Sequence, residues 1–242
     1  MVGQHNHSCK RWLLQNDGIF KVIQMNLDLE KTLIVNEIFM SIQGESTYAG
    51  LPCVFVRLTA CDLRCTYCDT AYAFYEGKPI SLLDITKEVD RYSSNLVEIT
   101  GGEPLLQKNV YDLMQFLADR GKVVLLETSG AHDISKCDPR VARIMDIKCP
   151  SSGEVSRNRW ENISQLMPTD EVKFVIGNRE DFDWAIHIIH EHNLVNRCPV
   201  LISAVWNTLP LVTLAEWIKE CELNVRLQPQ LHKILWGDQR ST

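Results

Sequence analysis

The 242-residue sequence contains no apolar run approaching the ~18 residues that cross a bilayer. It has no basic excess either: 25 Lys and Arg face 31 Asp and Glu, a formal net charge of −6. Binding to a phosphate backbone needs a basic face, so neither a nucleic acid nor a membrane is an expected partner. Repeats and low-complexity stretches are absent, which leaves solenoids and disordered linkers out of consideration. Residues 1–24 carry basic residues but no apolar stretch like that of a secretory signal, so the cytoplasm is the expected location. Six of the nine cysteines (Cys9, Cys53, Cys137, Cys149, Cys198 and Cys221) are scattered, and read as thiols of a reducing compartment rather than a disulfide framework.

What is present is ordinary globular composition, 45% hydrophobic and 23% charged, in a chain sized for one large domain. Residues 1–24 lack periodicity and read as a flexible extension, with His5 and His7 idle on it; residues 25–242 read as a single catalytic domain. Val- and Ile-rich runs at 32–40, 53–59, 96–100, 122–128, 142–148, 171–177, 198–206 and 223–228 are mostly apolar throughout, as strands covered on both faces are. Helical periodicity lies between them at 81–92, 105–120, 157–166, 180–192 and 211–221. Ser81 with Asp84 resembles a capping box, and Gly121 stands where a helix ends. Alternating strands and helices give an α/β fold with parallel strands, an incomplete or modified TIM-like (β/α) barrel. In that architecture the polar clusters that follow the strands converge on one mouth.

One of those clusters is "CDLRCTYC", with Cys61, Cys65 and Cys68 spaced C-x3-C-x2-C. A structural zinc site is closed by four ligands, and no second close pair follows here. A [4Fe–4S] cluster is usually held by four thiolates, so three leave one iron open. An open position is what a catalytic metal site keeps. "GGEP" (101–104) follows the next strand, and its glycines allow close backbone approach.

C-x3-C-x2-C, with Tyr67 before its last cysteine, and "GGEP" together resemble the radical S-adenosylmethionine (radical SAM) superfamily. The resemblance implies a [4Fe–4S] cluster on Cys61, Cys65 and Cys68. It also implies S-adenosylmethionine chelated to the open iron and cleaved to a 5′-deoxyadenosyl radical. "SIQGES" (41–46), "CDT" (68–70), "ETSG" (127–130), "DIKCPSSG" (146–153) and "LQPQLHKILWG" (227–237) resemble the 7-carboxy-7-deazaguanine synthase family, across most of residues 36–237. Two stretches depart from it: Ser46 stands where the family often has a second glycine, and the lysine of a Ser-Pro-Lys-like stretch is carried by "DIK".

That resemblance implies a lyase of queuosine (7-deazapurine) biosynthesis. Hydrogen abstraction from 6-carboxy-5,6,7,8-tetrahydropterin and ring contraction would release ammonia and form 7-carboxy-7-deazaguanine. It further implies a magnesium ion on Thr70, a flavodoxin- or ferredoxin-type electron donor and a homodimer. Tyr67, Gly101, Gly102, Glu103, Glu127, Ser129, Asp146, Lys148 and Ser203 are the expected S-adenosylmethionine contacts. Ile42, Gln43, Gly44, Glu45, Arg57, Thr100, Gln230 and His232 are the expected substrate contacts. On chemical grounds Arg57 suits a substrate carboxylate, which a guanidinium binds with two parallel hydrogen bonds. Gln43 and Glu45 suit the amide and amino groups of a pterin edge. Trp206 and Trp236 read as packing residues. A glycyl-radical activating enzyme, and a non-enzymatic iron–sulfur electron-transfer or zinc-binding module, are the alternatives.

Overall fold

Residues along each strand alternate between two environments, and this alternation separates the scaffold of the protein from its cavity. The computed structural model describes residues 28–242; the expected extension 1–24, with Cys9, lies outside the described residues. The nine strands are β1 (Thr32–Ile42), β2 (Pro52–Leu58), β3 (Lys78–Ser81), β4 (Leu96–Gly101), β5 (Val123–Thr128), β6 (Ala142–Ile147), β7 (Glu171–Ile176), β8 (Val200–Ala204) and β9 (Arg226–Leu227). They form one sheet in the order β3-β1-β2-β4-β5-β6-β7-β8-β9. Among the described residues β3 and β9 do not pair, so the barrel stays open. The helices are α1 (Leu82–Val89), α2 (Val110–Asp119), α3 (Arg179–Glu191), α4 (Leu211–Glu220) and α5 (Leu231–Trp236).

From β2 to β9 every pairing is parallel. The expectation of parallel strands fails at one edge, where β1 runs antiparallel to both β2 and β3. The reason is the connection: residues 43–51 turn β1 straight back into β2, without the crossover that parallel neighbours require.

Val54, Val56, Val97, Ile99, Val124, Leu126, Val172 and Phe174 point to the helices and form the main core. Each such side chain contributes roughly 1.5–3 kcal/mol by leaving water. Their sequence neighbours point the other way. Cys53, Phe55, Leu96, Leu125, Ala142 and Ile144 form a small apolar floor on the opposite face. Two positions further along the same strands, that face turns polar, with Arg57, Glu98, Glu127 and Asp146. The polar ends are the C-terminal ends of parallel strands, where this architecture places chemistry.

Helix starts follow the sequence signals. Ser81 accepts from the Asp84 N–H at 3.1 Å and caps α1, and Asn178 accepts from the Asp181 N–H at 2.9 Å and caps α3. Gly121, at φ 79°, follows α2. Other expectations need correction. The 105–120 segment becomes helical only at Val110, after a 3-10 turn at Pro104–Leu106. The 157–166 segment is a 3-10 turn at Trp160–Gln165, and Asn162 within it donates to the carbonyls of Gly130 and His132. The strand expected at 223–228 shrinks to β9. β3 and α5 were not expected.

Candidate active site

A cavity of about 600 Å³ opens at the polar strand ends. The loop after β2 forms one wall and carries Cys61, Cys65 and Cys68, all three lining the cavity. The Leu63 N–H donates to Cys61 Sγ at 3.4 Å, and the Cys68 N–H to the Cys65 carbonyl at 3.2 Å. The Thr66 hydroxyl and N–H donate to the carbonyls of Ser151 and Ser152, which clamps the loop to the turn after β6. Cys53, Cys137, Cys149 and Cys198 are buried away from the cavity. Among the described residues no three His, Cys, Asp or Glu side chains converge on a single-ion site. The three thiols thus suit a larger guest, a cluster with its own bridging sulfides, rather than a closed zinc site. Burial raises the Cys61 and Cys65 thiols, which favours their neutral form unless a cation sits beside them.

Gly101 and Gly102 line the cavity beside this loop. Their glycine identity is set by protein contacts: a Cβ on Gly102 would lie 2.2 Å from the Ala60 carbonyl oxygen, and one on Gly101 2.3 Å from that of Leu58. Glu103 is placed otherwise than expected. It is fully buried and does not line the cavity. Its carboxylate accepts from the Leu105 N–H, the Thr128 hydroxyl, and the N–H and hydroxyl of Ser129. Glu103 therefore holds the end of β5 in place rather than facing a ligand.

Opposite the cysteines, the β1–β2 loop presents Ile42, Gln43, Gly44 and Glu45. The Thr47 N–H donates to Glu171 on β7 at 3.0 Å and anchors this loop across the sheet. Ser46 sits at φ 64°, the left-handed region that explains why a glycine is favoured there; the strain costs about 1–2 kcal/mol. Gly44 packs against His232, and the Leu231 N–H donates to the Gly44 carbonyl at 2.9 Å. Gln230 donates to Glu45 at 2.9 Å, so α5 and the residue before it roof the loop.

The cavity floor is a charged network. Lys173, 5% exposed, projects from β7, bonds Glu45 at 2.8 Å and also bonds Glu127. Thr100 donates to Glu127 at 3.2 Å. Burial opposes ionisation of Glu45, but Lys173 and His232 outweigh it and lower its carboxyl to about 2. Lys148 pairs with Asp146 at 2.8 Å. Arg57 uses Nε on Glu37 at 2.8 Å, and its terminal nitrogens make no described hydrogen bond. Tyr72 and Ser241 also donate to Glu37. Thr70 lines the cavity with its hydroxyl 3.9 Å from Cys68 Sγ, and Tyr67 donates to the Val175 carbonyl at 3.4 Å.

Asp146 Oδ1, Ser203 Oγ and Trp206 Nε1 are buried without a hydrogen-bond partner. Asp146 and Trp206 line the cavity, and Ser203 lies on β8 just before that wall. The orphaned acceptor of Asp146 and donor of Trp206, both on residues that line the cavity, fit a polar ligand such as S-adenosylmethionine. Trp206 lines the cavity wall, and Trp236 is 38% exposed. Ser129 lines the same cavity, as does Gln230. Sequence reasoning missed Glu37, Glu98 and Lys173; only the alternation of faces, once the second face is known to be a cavity, points to them.

The radical SAM superfamily matches residues 56–205. The 7-carboxy-7-deazaguanine synthase of Chlorobaculum tepidum is 42% identical over 214 residues, covering 87% of this chain and 97% of that one. That of Koribacter versatilis is 42% identical, covering 84% and 96%, and that of Thermoplasma acidophilum 36% identical, covering 85% and 98%. The crystal structure of QueE from Escherichia coli has the same fold, with a TM-score of 0.65, 22% identity, and 83% and 95% coverage. These relatives displace the activating-enzyme and binding-module alternatives. The chain is a radical SAM enzyme and belongs to the 7-carboxy-7-deazaguanine synthase family.

Proposed function

We propose that the chain converts 6-carboxy-5,6,7,8-tetrahydropterin to 7-carboxy-7-deazaguanine and ammonia, as a step of queuosine or another 7-deazapurine biosynthesis. The observation that carries this reading is one cavity lined together by the three cysteines, Arg57 and Glu45. At about 600 Å³ it is of the size that holds small-molecule ligands. When bound, the cluster and S-adenosylmethionine supply an adenosyl radical that takes the hydrogen from the substrate carbon bearing the carboxylate.

The residues of the chain bind and orient. Arg57 offers its two terminal nitrogens to the substrate carboxylate, with Glu37 holding the guanidinium from behind. Glu45, kept ionised by Lys173, accepts from the amino and amide N–H groups of the pterin edge. Gln43, whose amide is already bonded to Glu98 and to the Glu45 N–H, holds that turn in shape. Thr100, Gln230 and His232 complete the substrate wall. Asp146, Lys148, Ser203 and Glu127 supply polar contacts to S-adenosylmethionine. A magnesium ion would rest on the Thr70 hydroxyl with ligand and water oxygens around it, since the ion commonly keeps several waters. A homodimer and a flavodoxin- or ferredoxin-type donor belong to the same reading.

The test is anaerobic. The cluster is reconstituted and reduced, S-adenosylmethionine and magnesium are added, and products are followed with and without the pterin. The expected result is pterin consumed, carboxy-deazaguanine formed and S-adenosylmethionine conserved. Adenosyl cleavage that leaves the pterin untouched would remove the substrate assignment.

A further inference from the structure

Of the carboxylates lining the cavity, Glu45 and Glu127 share Lys173, Asp146 pairs with Lys148, and Asp69 and Asp238 lie near Lys233. Among the described Asp and Glu side chains of that lining, Glu98 alone has no ion pair. It is 5% exposed and stands on β4 in register between Phe55 and Leu125. The groups facing it are Gln43 and Glu45 from the β1–β2 loop, Glu127 from β5, Lys173 from β7 and the Cys53 thiol from β2. The Lys173 ammonium is already shared by two other carboxylates.

The hydrogen bonding is directional. Gln43 Nε2 donates to Glu98 Oε2. The Glu45 N–H, 3.0 Å from Gln43 Oε1, fixes which end of that amide is oxygen. Glu98 Oε1 makes no described hydrogen bond, and the residue lines the cavity. Burial and then the Glu127 carboxylate raise the Glu98 carboxyl well above its usual range; Glu45 adds to this, and the Gln43 N–H and Lys173 oppose it without prevailing. A neutral acid satisfies the whole arrangement: its carbonyl oxygen accepts from Gln43, and its hydroxyl is left as a donor toward the cavity.

We propose that Glu98 is a neutral carboxylic acid that donates a hydrogen bond to an acceptor atom, a carbonyl oxygen or a ring nitrogen, of the heterobicycle bound in the cavity. This deepens the functional reading above and rests on it for the identity of the ligand. Glu45 can only accept and Glu98 donates. The pair therefore reads groups of opposite polarity, which a bicycle bearing both an amide carbonyl and amino groups provides.

Cluster-loaded protein tests this by difference infrared spectroscopy at neutral pH, wild type against E98Q, with and without 6-carboxytetrahydropterin. The wild type is expected to show the carbonyl stretch of a protonated carboxyl, absent in E98Q and shifted by the pterin. E98A is expected to raise KM for the pterin about tenfold, and E98Q, which keeps an N–H donor, less than about threefold. A wild type without that band, a band the pterin leaves unmoved, or equal loss of affinity in E98Q and E98A would overturn the proposal. A wild type that keeps the band yet neither binds nor converts the pterin would instead overturn the substrate assignment and leave Glu98 a neutral acid.

Discussion

Gly44 and His232 occupy one another's space: a Cβ on Gly44 would lie 2.1 Å from His232 Nδ1 and 2.9 Å from the His232 backbone nitrogen. The imidazole could swing aside, but the backbone nitrogen could not. Gly44→Ala should therefore displace the start of α5 at a cost of about 1–3 kcal/mol, the usual range for forced overpacking. The expected outcome is a lower melting temperature and a raised KM for the pterin, with cluster content unchanged. Wild-type melting together with wild-type KM would show that the two segments are not in contact.

Lys173→Met leaves two half-buried carboxylates without their shared cation, a change that costs at most about 3–5 kcal/mol, the cost for a fully buried pair. The pH dependence gives it a signature. In the wild type Glu45 has its carboxyl lowered from 4.5 to about 2. Its ion pair therefore contributes fully above the unfolded value and is lost only as pH falls toward about 2. Without Lys173 the carboxyl loses the first of the groups that lower it, so acid unfolding should begin at higher pH. Denaturant midpoints measured from acidic to neutral pH would show the shift; parallel curves for the two proteins would refute it.

Glu103→Gln replaces a carboxylate that accepts from four donors with an amide that has a single acceptor oxygen. At least one buried donor loses its partner, at a cost of about 1–3 kcal/mol. Chemical denaturation should show that loss, together with weaker S-adenosylmethionine binding as residues 128–130 relax. An unchanged midpoint would mean that the carboxylate is not what holds Ser129.

Replacing any one of Cys61, Cys65 and Cys68 by Ala should abolish the cluster absorbance and the turnover together. Cys137→Ala and Cys149→Ala, buried away from the cavity, should keep both. Normal turnover in any of the first three variants would end the cluster assignment.

Much of this architecture is legible in the sequence, and the exceptions share a cause. Strands β2, β4, β6 and β8 are largely apolar and covered on both faces, and such runs stand out from their surroundings. The cysteine spacing is equally plain, since all three ligands come from one short loop. Lys173 in "EVKFVI" and Glu98 in "LVEIT" carry no such signal. A polar residue at every second position of a strand usually marks a solvated face. Here it marks a polar cavity whose members come from segments far apart in the sequence. α5 is six residues long, too short to show a helical period, and its position depends on Gly44 and Glu45, far away in the sequence. The 157–166 segment misleads in the opposite way: its apolar spacing is helical, but Asn162 ties it to the carbonyls of Gly130 and His132, a contact no local spacing reveals.

None of the residues of α5 is buried. It is held over the cavity by a few polar contacts, and Gln230 to Glu45 and Ser241 to Glu37 join positions 185 and 204 residues apart. Breaking those contacts exposes almost no core, so this roof lies at the low end of the local-opening free energies within the fold. The sheet beneath needs no rearrangement for it to lift. The segment that grips the small-molecule side of the cavity is thus the part of its wall that can shift at least cost to the core.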